Sequence, residues 1–224
     1  MKKTALTWLA AVLTVTGAFA QKVFFPTQEG VKLTYANMDD KGKVHSYSLQ
    51  TVQKVEGSGD NMTIRSVSEL LDKNRKPNKN PVEVSHTIVI KDGLTEMDSK
   101  SFAASGTEHL VEIEGDKVRI PSSLAPGVKL DDANFTLTVN VGIKLRTEIA
   151  LTEQACTAIE DITVTAGAFT CYKVTQTSAA TIMRKTVVTK TLTWYVPDIG
   201  PVKTENYNDK GKLTSIIELY SIEK

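Results

Sequence analysis

Apolar and polar residues alternate most cleanly between Phe135 and Leu151. Phe135, Leu137, Val139, Val141, Ile143, Leu145, Ile149 and Leu151 take the odd positions; Thr136, Thr138, Asn140, Gly142, Lys144, Arg146 and Glu148 take the even ones. A period of two puts successive side chains on opposite faces of an extended strand, one dry and one wet. The run is long for one strand, so a turn is expected near Asn140-Val141-Gly142. Thr181–Val196 repeats the theme, with Ile182, Val188, Leu192, Trp194 and Val196 on one parity and Thr and Lys mostly opposite. Val82, Val84, His86, Ile88 and Ile90 share another strand face, ended by Asp92-Gly93.

The C-terminal stretch Thr193–Ile222 is read as a strand, a corner punctuated by Pro197 and Pro201, and a hairpin turning at Asn208-Asp209-Lys210-Gly211. Asn and Asp favour the opening of such a turn, and Gly takes its left-handed residue. Near the N-terminus Val31-Lys32 and Asp40-Lys41-Gly42-Lys43 echo Val202-Lys203 and Asp209-Lys210-Gly211-Lys212. Two like hairpins at opposite ends of the chain are expected, with Asp40, Gly42, Asp209 and Gly211 as structural turn residues.

Elsewhere 72–81 is polar and breaker-rich, hence an exposed loop. Ser99–Ser105 is read as a short helical turn. His109–Ile113 and Lys117–Ile120 look like a hairpin around Glu114-Gly115-Asp116, and Pro121–Asp132 like a loop crossing an end of the sheet. No segment sustains a 3.6-residue period. The expected class is all-β, mainly an antiparallel meander with few short helices. A curled half-barrel, a closed up-and-down barrel and a two-sheet sandwich all fit.

The first twenty residues stand apart. Met1-Lys2-Lys3 is basic, Ala5–Ala18 is apolar and uncharged, and Ala18-Phe19-Ala20 is a small-x-small cleavage pattern. Residues 1–20 are read as a cleaved signal peptide and 21–224 as one β domain, exported to the periplasm or beyond. No cysteine lies near the cleavage site, so no lipoprotein is expected. No later stretch is apolar over the roughly 20 residues a spanning helix needs.

Charge narrows the partners. The chain has 27 Lys and Arg against 26 Asp and Glu, and no basic block suited to nucleic acid. Cys156 and Cys171 are the only cysteines. In an oxidising compartment they are expected to form a disulfide across the open end of a hairpin, worth about 3 kcal/mol. Two free buried thiols are the plainer alternative, and a redox pair lacks the Cys-x-x-Cys spacing.

Candidate chemistry is sparse. His45, His86 and His109 are far apart and in no ligand spacing, and a buried, hydrogen-bonded role suits His86. No metal motif, nucleophile elbow, P-loop or dinucleotide fingerprint occurs. Asp39/Asp40 and Asp131/Asp132 fall in turns, where Asp serves the backbone. No cofactor and no catalysis is expected. Trp194-Tyr195, ahead of Pro197, is a candidate ligand mouth; a core Trp at a strand end is the simpler reading.

Several segments together resemble a family. Phe24-Phe25-Pro26, Asp40-Lys41-Gly42-Lys43, Asp92-Gly93, Ile120-Pro121, Thr165-Ala166-Gly167-Ala168-Phe169-Thr170-Cys171 and Ile199-Gly200-Pro201-Val202-Lys203-Thr204-Glu205 are similar to the TapB-like secreted proteins, relatives of the domain-of-unknown-function family numbered 3108. Thr165 stands where that family often has Pro. The resemblance implies an exported, mainly antiparallel β domain and brings no catalytic residues. Its architecture is also similar to periplasmic half-barrels that shelter acyl chains, a likeness of fold alone. Two functions remain in view: a non-catalytic binder of a lipid or other apolar molecule, and a structural or interaction protein of the envelope.

Overall fold

The computed structural model describes residues 22–79, 81, 83–97, 111–140 and 143–224. The expected signal peptide and the expected helical turn at Ser99–Ser105 lie outside them. All described elements are strands: β1 (Lys32–Asp39), β2 (Val44–Ser58), β3 (Asn61–Leu71), β4 (Glu83–Lys91), β5 (Leu94–Met97), β6 (Val111–Gly115), β7 (Val118–Pro121), β8 (Ala133–Asn140), β9 (Lys144–Val164), β10 (Gly167–Ile182), β11 (Lys185–Val196), β12 (Gly200–Asn208) and β13 (Leu213–Glu223). They form one 13-stranded sheet in the order β6-β8-β9-β10-β11-β12-β13-β1-β2-β3-β4-β5-β7. Every pairing is antiparallel.

The first and last strands meet at the centre. β1 pairs with β13 from Lys32↔Glu223 to Asp39↔Ser215, so the two echoed hairpins lie side by side. Their turns are the same structure. Gly42 N–H donates to the Asp39 carbonyl at 3.1 Å, and Gly211 N–H to the Asn208 carbonyl at 2.9 Å. Asp39 Oδ1 accepts from the N–H groups of Lys41 and Lys43, and Asn208 Oδ1 from those of Lys210 and Lys212. The capping oxygen thus comes from the residue before Asp40 or Asp209. Asp40 instead pairs with Lys212 across the two turns at 3.2 Å. A third copy follows β3: Asp72 Oδ1 accepts from Asn74 and Lys76, and Arg75 takes the left-handed position at φ 61°. No glycine advertises this copy.

The expected hairpin of 109–113 with 117–120 does not form. β6 pairs with β8, matching Val111↔Val139, Ile113↔Leu137 and Gly115↔Phe135. β7 pairs with β5, from Leu94↔Pro121 to Met97↔Val118. Apolar cross-strand partners on β8 and Glu96 on β5 outcompete the local turn. Glu96 binds Arg119 Nε at 2.7 Å and Lys117 Nζ at 2.9 Å. β6 and β7 are therefore the two edges of the sheet, although only Asp116 and Lys117 separate them in the chain. Three Cα steps span at most about 11 Å. The sheet must curl until its edges nearly meet, yet no hydrogen-bonded ladder closes it into a barrel.

Gly115 sets the close approach of β6 to β8. At φ 140° a side chain there would place Cβ 2.3 Å from the Asn134 carbonyl oxygen and 2.5 Å from Phe135 Cα. Only glycine lets β6 lie so close to β8.

One end of the curl is stoppered. Phe24 and Leu124 are fully buried and pack with Leu130, Cys156 and Val174. Phe24 meets Tyr172 and Tyr195 edge-on, with ring centroids 5.5 and 6.1 Å apart. The loop 122–132 does cross an end of the sheet, held by Cys156 N–H to the Val128 carbonyl and Leu130 N–H to the Gln154 carbonyl. The apolar residues Phe24 and Phe25 thus act as a plug rather than a strand. The main core continues through Leu33, Val52, Ile64, Ile88, Ile90, Val202 and Leu219.

Candidate functional site: an uncharged cavity inside the curled sheet

The curl shapes a partly open cavity of about 600 Å³. Its apolar wall is built by the two edges and their neighbours: Met97, Ile113, Val118, Phe135, Leu137 and Ile149. The odd-position run of β8 and β9 supplies much of this wall, because the register pairs odd positions with odd ones, as in Phe135↔Ile149, and so keeps that parity on one face. Phe24 and Phe25 form its floor. The opposite wall carries Gln50, Gln176, Ser178, Thr191 and Thr193. No Lys, Arg, Asp, Glu or His lines the cavity among the described residues.

The polar wall continues along the central strands as hydrogen-bonded amides and hydroxyls. Asn37 Nδ2 donates to Ser48 Oγ at 2.9 Å and Ser46 Oγ at 3.2 Å. Thr191 Oγ1 donates to Asn206 Oδ1, and Asn206 Nδ2 to Ser215 Oγ, both at 3.0 Å. The inner parity of β11 is Val187, Thr189, Thr191, Thr193 and Tyr195. The apolar parity singled out in the sequence, Val188, Leu192, Trp194 and Val196, faces the other way. Alternation located the strand correctly; it could not say which face the curl would turn inward.

Trp194 and Tyr195 therefore part company. Tyr195 lines the cavity beside the Phe24 floor, and burial pushes its phenol pKa up to about 12. Trp194 is buried on the opposite side of β11. Its Nε1–H donates to Glu160 Oε1 at 2.5 Å, with Lys173 and Lys203 over its ring at 5.0 and 5.3 Å. Tyr35 stands near Tyr195. Its hydroxyl is buried with no hydrogen-bond partner, and burial first, then Tyr195, drives its pKa far above the ordinary phenol value. Nothing in the spacing of residues singles out Tyr35.

The expected disulfide is absent: Cys156 and Cys171 are both buried free thiols. β9 and β10 do form a hairpin, but the cysteines are out of step in it. Cys156 opposes Val174, and Cys171 opposes Glu160. Three residues along β10 is about 10 Å, beyond the roughly 7 Å Cα separation a bridge tolerates. Side chains three apart on β10 also point to opposite faces, so Cys156 joins the Phe24 cluster and Cys171 the main core. Burial raises both thiol pKa values, that of Cys171 to about 11 with Asp161 and Glu160 adding to the effect. Neither is poised as a thiolate nucleophile.

The histidines are dispersed. His45 lies 3.4 Å from Asp39 at a surface turn, half-buried His86 shares a 2.9 Å hydrogen bond with Ser68, and His109 lies outside the described residues. Among those residues no group of three or more His, Cys, Asp or Glu could hold a metal ion, and no helix is long and apolar enough to cross a membrane.

The DUF3108-like family model matches residues 28–219. The chain belongs to the DUF3108-like family. Two solved structures share the fold of this family member. One is a presumed exported protein with a YmcC-like fold from Bacteroides fragilis, 25% identical, with a TM-score of 0.74 over 91% of this chain and 100% of that one. The other is a presumed lipoprotein from Parabacteroides distasonis, 23% identical, with a TM-score of 0.75 over 90% of this chain and 99% of that one. No curated protein matches the chain.

Proposed function

We propose that this DUF3108-like protein is an exported, non-catalytic carrier of one apolar molecule, held inside the curled sheet. Export is supported by the leader pattern at 1–20 and by the description of the Bacteroides fragilis relative as exported. The observation that carries the binding function is the cavity. Its volume, about 600 Å³, falls within the roughly 300–1,000 Å³ of small-molecule sites. Its lining is mostly apolar, and uncharged among the described residues. An acyl chain suits the wall of Met97, Ile113, Phe135 and Ile149. The amides and hydroxyls opposite suit an uncharged polar group.

The envelope-scaffold alternative has less support. The sheet edges β6 and β7 are short and carry Glu112, Glu114, Lys117 and Arg119 on or beside them, a pattern that discourages strand addition.

Displacement of a fluorescent fatty-acid probe tests the carrier function. Ser178→Phe and Thr193→Phe put rings into the space a ligand would use. Both variants should fold and lose probe binding at least tenfold. Unchanged probe affinity in both, or no saturable binding by the parent protein, would end the proposal.

A further inference from the structure

We infer that one end of the sheet is a docking surface for an anionic lipid bilayer, centred on Ile143 at the start of β9 and on the β10–β11 turn. The apolar residues there are unusually bare: Met183 is 72% exposed, Ile143 63% and Val187 62%. Basic residues adjoin them in the chain: Lys144 and Arg146 at the start of β9, the latter 3.4 Å from Glu148, and Arg184 and Lys185 at the β10–β11 turn.

The β10–β11 turn is built against its own chemistry. Ile182 pairs with Lys185, leaving Met183 and Arg184 as a two-residue loop with φ 47° and 67°. Two left-handed residues in such a loop make the turn type that favours Asn-Gly or Asp-Gly. The protein uses that chemistry at the other end of the sheet, where Asp92 and Gly93 take the same loop with φ 52° and 76°. At Met183-Arg184 the chain instead accepts strain to present a long apolar and a long cationic side chain to solvent.

Charge complementarity names the occupant. In an antiparallel sheet alternate turns share an end, so 39–43, 183–185 and 208–212 lie at this one, with 143–146 at the start of β9; the 72–79 loop folds back instead, with Arg75 over the Tyr220 ring. These segments hold eight Lys and Arg against three Asp, in a chain of 27 basic and 26 acidic residues. The described turns at the opposite end, 57–60, 92–93, 122–132, 165–166 and 196–200, hold one Lys against Asp60, Asp92, Asp131, Asp132 and Asp198. Apolar side chains that can enter an interface, flanked by cations, suit phosphate-bearing lipid headgroups. The inner parity of β10 runs Gln176, Ser178, Ala180, Ile182, and that of β11 runs Thr191, Thr189, Val187. The cavity wall therefore leads out to this surface, opposite the Phe24–Leu124 plug. Passage of a ligand between bilayer and cavity rests on the proposed carrier function; the docking itself does not.

Vesicle co-sedimentation of the purified protein tests it. Binding to phosphatidylethanolamine vesicles containing phosphatidylglycerol should exceed binding to phosphatidylcholine vesicles and weaken with salt. The double variant Met183→Asn/Arg184→Gly installs the preferred turn, so its melting temperature should not fall, while vesicle affinity should drop at least tenfold. Removal of Lys144 and Lys185 charges by Ser should cost about fivefold each. Equal binding to both vesicle types, or an unchanged affinity in the double variant, would overturn the docking surface. Ser178→Phe separates the two ideas: it should lose the fatty-acid probe and keep vesicle binding. A protein that binds vesicles and never an apolar ligand refutes the carrier alone.

Discussion

Replacing Gly115 with Ala attacks the place where the sheet's edges approach each other. The new Cβ would stand 2.3 Å from the Asn134 oxygen, 2.5 Å from Phe135 Cα and 2.8 Å from Phe135 Cβ. Two of these are backbone atoms, so no rotamer change relieves the contact. A φ of 140° is foreign to an L side chain and costs about 1–3 kcal/mol. Displacing the β8 backbone adds about 1–3 kcal/mol. Together these are about 4 kcal/mol, against total stabilities of about 5–15 kcal/mol. At about 2–4 °C per kcal/mol for a domain of this size, melting should fall by about 8–16 °C. Gly42→Ala is the matched control: φ is also positive, 77°, but nothing lies within 4 Å of the new Cβ. It should cost about 1 kcal/mol. Thermal unfolding followed by circular dichroism reads both. If Gly115→Ala melts within a degree or two of Gly42→Ala, β6 does not lie against β8 as described.

Three further outcomes follow from named contacts. Asn208→Ala removes the acceptor of two turn N–H groups and should cost about 1–2 kcal/mol in urea unfolding, whereas Asn208→Asp, which copies the turn at Asp39, should be near neutral. The Glu96 carboxyl is held below its usual range by hydrogen bonds from Arg119, then Lys117. Its contribution is present above the ordinary Glu value of about 4.3 and is lost as pH falls through the lowered folded value; Glu96→Gln should therefore remove about 0.5–1 kcal/mol at neutral pH after solvent screening and flatten that acid limb. Thiol titration of protein purified without reductant should find both Cys156 and Cys171 free after unfolding and unreactive in the native state; a single intramolecular bridge by mass spectrometry would contradict the β9–β10 register.

Much of the architecture was legible because strand periodicity and glycine turns are local signals. Phe135–Leu151 became β8 and β9, with β8 ending at Asn140 and β9 starting at Lys144. The echoed Asp-Lys-Gly-Lys hairpins both formed, and their likeness extends to individual turn hydrogen bonds. What was illegible depended on distant partners. Gly115 looks like a hairpin glycine, yet it serves the approach of β6 to β8. Cys156 and Cys171 flank a hairpin, yet the bulge at Thr157 and the register put them on different faces. Arg75 hides a third turn because its left-handed conformation is imposed by Asp72 rather than advertised by glycine. The Thr-rich parity of β11 reads as a wet outer face and instead lines the cavity, because inside and outside are decided by the curl of the whole sheet. Tyr35 and Tyr195 reach one neighbourhood from opposite ends of the chain, which no spacing announces.

The cavity's contents decide the account. Purified, correctly exported protein should be analysed by native mass spectrometry, and its organic extract by lipid mass spectrometry, beside Ser178→Phe prepared identically. The carrier function predicts a bound apolar species at close to one per chain in the parent protein, dissociating on denaturation and depleted in the variant. A parent protein that carries no such species, and takes up none when incubated with fatty acids or phospholipids, would contradict it.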